Sequence, residues 1–338
     1  MDTSAVDYDL PDAAIAQTPV EPRDAARLLV DHGPGRSPSH GTVADLPSLV
    51  GPGDLVVVNT TRVLPARLRL TKATGGAVEV LLLEPCDPQE RRWEALVRPS
   101  RKVAPGTVFV AGPDLTVVVG DDFGEGRRQV WLDVTPGSPL LDALERHGAV
   151  PLPPYITTPL GDPERYQTTY AVEPGSVAAP TAGLHLTKEV LAGIRSAGAT
   201  IAPVELAVGL GTFRPIATAR VEDHQMHAER YRVPEETMAA VHAADRVVAI
   251  GTTTVRALES AHATGELIGR TDLFIVGDRR IEVVDALLTN FHQPRSSLLV
   301  LVEALVGPRW RGLYAEALDR GYRFLSFGDA MLLQGMRG

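Results

Sequence analysis

Between residues 66 and 134 the chain changes texture, and that change limits its fold more than any other feature. Six short segments alternate apolar and polar residues, at 66–70, 77–83, 92–97, 107–110, 115–119 and 129–134. Turn sequences separate them: Thr74-Gly-Gly76, Ala104-Pro-Gly106, Ala111-Gly-Pro-Asp114 and Gly124-Glu-Gly126. A period of two marks half-buried strands, and short strands at such spacing make a small antiparallel β-barrel. On either side the pattern is different. Residues 53–59 read as a buried strand with Thr60-Thr-Arg62 at its end, and helices are expected at 188–196, 235–244 and 255–262. Thr187 is a natural N-cap for the first helix and Gly198 a C-terminal stop. The expected fold is therefore α/β. A discontinuous catalytic domain at 1–66 and 151–338 carries a six-stranded barrel inserted at 67–150. Residues 24–30 are a short amphipathic run, 31–45 a loop, and Tyr322 to Asp329 a final strand packed on the core.

Composition narrows the function. A net charge of −9 argues against a general nucleic-acid binder, though one local basic face remains open at Arg91, Arg92, Arg98, Arg101 and Lys102, or at Arg309, Arg311, Arg320 and Arg323. No apolar run approaches the roughly 18 residues of a membrane span. The N-terminus lacks a secretory signal pattern, and the single cysteine, Cys86, rules out an internal disulfide framework and a cysteine-rich zinc site. A cytoplasmic monomer without membrane contact is expected.

The chemistry-bearing stretches are Val177-Ala-Ala-Pro-Thr-Ala-Gly-Leu-His185 and, 24 residues on, Gly209-Leu-Gly-Thr-Phe213. Small residues with isolated Thr and His make poor core and suit close approach of backbone to a ligand. The Gly-Leu-Gly turn follows an apolar run, and its N–H groups suit a polar or anionic group. Arg246-Val-Val-Ala-Ile250, Gly251-Thr-Thr-Thr254 and the helix after it repeat the strand–turn–helix plan by which α/β proteins build sites. Thr289-Asn-Phe-His292 sits at another strand end. His224-Gln-Met-His227-Ala-Glu229 invites a metal reading, since His at i and i+3 share a helical face, but it lacks the His-Glu-x-x-His spacing. Glu229 is otherwise a general-base candidate if partly buried. Dinucleotide, P-loop and nucleophile-elbow signatures are absent.

Taken together these residues resemble the S-adenosylmethionine:tRNA ribosyltransferase-isomerase family of queuosine biosynthesis. The resemblance runs from about residue 8 to 333. It is carried by Tyr8-Asp-Leu-Pro11, Ile15-Ala-Gln17, Asn59, Thr61-Arg62-Val63, Pro151-Leu-Pro-Pro-Tyr-Ile156, Glu164-Arg-Tyr-Gln167 and the segments above, ending in Gly328-Asp-Ala-Met331. It implies transfer and isomerisation of the ribosyl part of S-adenosylmethionine onto 7-aminomethyl-7-deazaguanine at the wobble position of tRNA, with release of adenine and methionine. S-adenosylmethionine is then a substrate, and no prosthetic group or metal is expected. With the resemblance, the expected catalytic groups are His185, His227, Glu229 and His292. The expected substrate contacts are Asn59 and Arg62, then Ala179, Pro180, Thr181, Ala182 and Gly183, then Gly209, Gly211, Thr212 and Phe213, and finally Thr252, Thr253, Arg256 and Asn290.

Some positions depart from the family pattern: Ala207 stands where His is expected, Thr60 where Asp is, Thr157 and Thr158 where an Arg is, and Gln293 where Leu is. They leave open a divergent relative that processes S-adenosylmethionine with a small-molecule acceptor or none. A non-catalytic RNA- or ligand-binding relative and a metal hydrolase using His224, His227 and Glu229 are the remaining alternatives.

Overall fold

Apolar strands alternating with amphipathic helices must bury both faces of a sheet, and the computed structural model of the chain does this in its larger unit. It describes residues 1–209, 215–277, 279 and 281–336. Two compact units emerge, one of residues 1–62, 153–173 and 179–338, the other of residues 63–152 and 174–178.

In chain order the strands are β1 (Arg27–Asp31), β2 (Ser39–Thr42), β3 (Asp54–Asn59), β4 (Thr61–Val63), β5 (Arg67–Thr71), β6 (Ala77–Pro85), β7 (Arg92–Arg98), β8 (Val108–Gly112), β9 (Leu115–Gly124) and β10 (Arg127–Val134). Helix α1 (Leu140–His147), β11 (Gly148–Ala149) and β12 (Glu173–Ser176) follow. Then come α2 (Lys188–Ser196), β13 (Thr200–Leu206), β14 (Glu229–Arg232), α3 (Glu235–Ala243), β15 (Arg246–Ile250), α4 (Thr252–Thr264), β16 (Ile268–Thr271) and β17 (Ala286–Asn290). Helices α5 (Ser297–Val306) and α6 (Trp310–Asp319) and strand β18 (Ala330–Gln334) complete the chain.

The larger unit holds a nine-stranded sheet in the order β16-β14-β13-β3-β15-β17-β18-β1-β2. Its middle four strands, β13, β3, β15 and β17, are parallel. Val56, Val58, Val248, Ile250 and Leu288 from these strands pack with Val190, Leu191 and Ile194 of α2 in one core. The Thr187 side chain accepts from Val190 N, the expected cap, and Gly198 takes a φ of +93° just past the helix. The smaller unit holds one antiparallel sheet, β11-β5-β6-β7-β10-β9-β8. The six expected segments lie within β5 to β10 apart from Ala66 and Thr107, which precede β5 and β8, and the two-residue β11 adds an edge.

Three expectations are corrected. The loop expected at 31–45 instead contains β2 (Ser39–Thr42), which pairs antiparallel with β1, the strand into which the amphipathic run at 24–30 leads. Tyr322 to Asp329 is not a strand. It is a bent connection in which the Asp329 carboxylate accepts from Arg27 N and Arg323 N, and the last strand is β18. Residues 177–186 are not a poor core either. Val177, Ala178, Ala179, Ala182 and Leu184 are buried, and Ala182 and Leu186 join the main core. Small side chains there serve close packing of a 3-10 helix, Thr181–His185. Gly183 shows the reason: a Cβ would run into the Tyr170 hydroxyl and lie 3.0 Å from Thr168 Cγ2. Gly183→Ala is expected to lower stability by about 1–3 kcal/mol, read as a drop in the urea midpoint. An unchanged midpoint would show that the Tyr170 wall yields freely. Among the described residues no helix is long and apolar enough to cross a membrane.

Candidate active site

The carboxyl ends of the four parallel strands bring together Asn59 (β3), Leu206 (β13), Gly251 (after β15) and Asn290 (β17). Strand order reverses at β3, with β13 on one side and β15 on the other. Such a reversal opens a crevice at the strand ends.

Asn59 is fully buried and fully bonded. Its Nδ2 donates to Leu206 O at 3.0 Å and to Thr253 Oγ1 at 3.3 Å. Its Oδ1 accepts from Thr61 N at 3.1 Å and Leu206 N at 3.3 Å. Two donors and two lone pairs are the whole capacity of a carboxamide, so Asn59 ties the ends of β3, β13 and α4 together. Gly251 leads into α4 with a φ of +88°, a backbone conformation that glycine adopts without strain. Thr252 and Thr253, in the first turn of α4, are buried.

Asn290 is the second junction. Thr181 Oγ1 donates to its Oδ1 at 2.8 Å, while its Nδ2 reaches His185 Nε2 at 3.2 Å and Asp329 O at 3.4 Å. A backbone carbonyl can only accept, so the amide orientation is fixed. His185 Nε2 is then the unprotonated acceptor. Burial, followed by the positive charge of Arg323, pushes His185 down to about 4. His292 is pushed down to about 3 by burial alone. It meets Thr289 Oγ1 at 2.9 Å through Nε2, and its backbone is held by Tyr314 and Tyr8. Both imidazoles are neutral at pH 7.

Glu229 and Arg256 form a buried ion pair. Glu229 Oε1 also accepts from Gly209 N at 2.7 Å. Arg256 also donates from Nε to Leu273 O and from Nη2 to Thr271 O. The expected helix through His224 and His227 is absent. A short 3-10 turn, Val221–Asp223, precedes an extended segment, and Glu229 begins β14. The shared helical face on which the metal reading rested therefore does not exist, and no group of three metal-ligating side chains occurs among the described residues. His227 is exposed, and His224 packs edge-on to Phe274. Gly211, Thr212 and Phe213 lie outside the described residues.

Ala179 and Pro180 are buried ahead of Thr181, and Arg62 pairs with Glu164 at 2.6 Å. A cleft is lined by Tyr155, Thr181, Asn290, His292, Gln293 and Ser326. Tyr155 and Ser326 were not singled out from sequence as site residues. Their hydroxyls lie 2.7 Å apart, and Gln17 fixes Tyr155 and Thr157 from both ends of its carboxamide. Tyr155 carried only the signal of membership in a resembling segment, and Ser326 lay in the stretch expected to be a final strand.

The family description "Queuosine biosynthesis protein" matches residues 3–333. The chain is 50% identical over 336 residues to an S-adenosylmethionine:tRNA ribosyltransferase-isomerase of Rubrobacter xylanophilus, covering 99% of this chain and 98% of that protein. It is 50% identical over 343 residues to the protein of the same name from Gloeobacter violaceus, covering 98% of this chain and 95% of that one. A crystal structure of an S-adenosylmethionine tRNA ribosyltransferase from Thermotoga maritima shares 36% identity and a TM-score of 0.56, covering 98% of this chain and 100% of that one. With its α/β sheet, its antiparallel second unit and a match from end to end, this chain belongs to the queuosine biosynthesis protein family.

Proposed function

We propose that this chain transfers and isomerises the ribosyl moiety of S-adenosylmethionine onto 7-aminomethyl-7-deazaguanine at the wobble position of tRNA. The products are epoxyqueuosine-tRNA, adenine and methionine. The observation that carries this reading is the near full-length, 50% identity to relatives bearing that activity in their name. In this reading the protein works as a cytoplasmic monomer, and the second unit is a small barrel in which β5 and β8, far apart in the sheet order, approach each other.

The sulfonium of S-adenosylmethionine acidifies the neighbouring 5′ carbon. A base takes that proton, and adenine needs a proton as it leaves. His185 lies behind the cleft wall, joined to the cleft-lining Asn290 through the Asn290 Nδ2–His185 Nε2 contact, so it handles protons in this reading, with Asn290 positioning it. Its neutral form needs no prior deprotonation. Glu229, paired with Arg256, holds Gly209 N–H and so has a positioning role rather than that of the base. Asn59 likewise positions strand ends, since no donor or acceptor remains for substrate.

The departure at Ala207 is tested directly. Ala207 is half-buried, and its N–H donates to Arg230 O at 2.9 Å just past β13. Ala207→His is expected to raise tRNA-dependent adenine release about tenfold, equal to about 1.4 kcal/mol of barrier. No change would show that Ala207 marks no functional departure. The reading as a whole is tested by incubation with S-adenosylmethionine, with and without tRNA carrying the deazaguanine base. Adenine and methionine are expected only with that tRNA. Release without any tRNA would transfer support to the small-molecule acceptor, and no release in either case would overturn the reading.

A further inference from the structure

A second cleft shares Ser326 with the first. Its walls include Arg23, Arg165, Leu184, His185 and Phe327. The arginines here are held by backbone carbonyls. Arg23 donates to Gln167 O at 2.6 Å, to Glu164 O at 2.8 Å and to Leu184 O at 3.3 Å. Arg165 donates to Val20 O at 2.9 Å. Arg323, whose charge also acts on His185, donates to Thr18 O at 3.1 Å, and its Nη2 is buried with no hydrogen-bond partner among the described residues. A carbonyl fixes a guanidinium without cancelling its charge. Three such cations around one neutral imidazole leave a positive cavity.

The carboxylates nearby do not fill it. Glu164 is engaged by Arg62, and Asp162 caps the Glu164 N–H at 3.0 Å. Glu21 meets Arg165 at 2.6 Å, yet its side chain is 69% exposed and free to swing into solvent.

We propose that this cleft is an oxyanion site of the enzyme, with Arg165 and Arg23 as its donors and Glu21 as an internal placeholder that an incoming anion displaces. Resting on the reading above, the anion is either the methionyl carboxylate of S-adenosylmethionine or a phosphodiester flanking the target base. Its arrival would offset the arginine field at His185 and make that imidazole a stronger base once substrate is bound.

Two variants move the site in opposite directions. Arg165→Gln removes a donor and is expected to raise one substrate's KM about tenfold with kcat little changed, the pattern of lost ground-state binding. Glu21→Gln removes the competing carboxylate and is expected to lower the same KM about twofold to threefold. A purely structural role for the Glu21–Arg165 pair would make the two variants behave alike. A shift confined to S-adenosylmethionine identifies the carboxylate, and one confined to tRNA identifies the phosphodiester. Inorganic phosphate reads the cleft without turnover: it should raise the wild-type Tm and raise it less in Arg165→Gln. If wild type turns over but neither KM nor the phosphate effect responds to either variant, the oxyanion site is refuted and the functional reading stands. If wild type is inactive, the phosphate comparison alone decides.

Discussion

Glu229→Ala is expected to lower the stability of the fold by about 3–5 kcal/mol, the largest effect of any single side-chain truncation argued for this site. Its partner Arg256 is buried and is held besides only by the carbonyls of Thr271 and Leu273, which carry no charge. Removing the carboxylate therefore strands a cation away from water and leaves Gly209 N–H without its acceptor. A surface ion pair would cost well under 1 kcal/mol on removal, so the magnitude separates the two cases. The double variant Glu229→Ala, Arg256→Met should recover part of the loss, because no buried charge remains. Urea unfolding measures both. A loss below about 1 kcal/mol for the single variant would mean that water reaches the pair and that β14, α4 and Gly209 are not tied through it.

The second large effect is on pH. His185 and His292 have folded values of about 4 and about 3, both pushed down chiefly by burial. The unfolded chain protonates them near 6.5. Between 6.5 and the folded values the unfolded state binds more protons, so stability rises with pH in that window. The contribution is fully present above about pH 6.5 and is lost as pH falls toward 4 and 3. At pH 5.0 each histidine should have forfeited about 2 kcal/mol relative to pH 7.5. His292→Gln should remove about half of this slope. Equal urea midpoints at the two pH values would mean that neither imidazole is buried neutral.

Much of the scaffold was legible from local pattern. β5 to β10 follow two-residue alternation broken by glycine turns, and α2 lies within the bounds that Thr187 and Gly198 set. Neither signal needs tertiary context. The errors share a cause, which is that context overrode local pattern. His224 and His227 have helical spacing, but Glu229 pairs Thr271 across β14 and β16, and the chain before it runs extended. Residues 177–186 looked too small and too broken for a core. Tyr170, Thr168 and the main core fill the space around them, so small volume became the requirement. Tyr322 to Asp329 has strand-like aromatics, but Asp329 draws two backbone N–H groups into a bend.

The site was legible as residue types at strand ends and not as bonding. Sequence placed Asn59, Thr253 and Asn290 there. It gave no sign that Asn59 would be saturated by Leu206, Thr61 and Thr253, while Asn290 would set the His185 tautomer. Arg23 and Arg165 are 142 positions apart in the chain, and nothing local links them to His185.

The central claim is that the Asn290–His185 junction at the end of β17 carries the proton handling of S-adenosylmethionine turnover. Single-turnover adenine release by Asn290→Ala, with S-adenosylmethionine and the deazaguanine-bearing tRNA both saturating and folding verified by circular dichroism, tests it most directly. Loss of the amide frees the imidazole from its fixed orientation, and the rate is expected to fall on the order of 100-fold. A folded Asn290→Ala protein that releases adenine at the wild-type rate would contradict the claim.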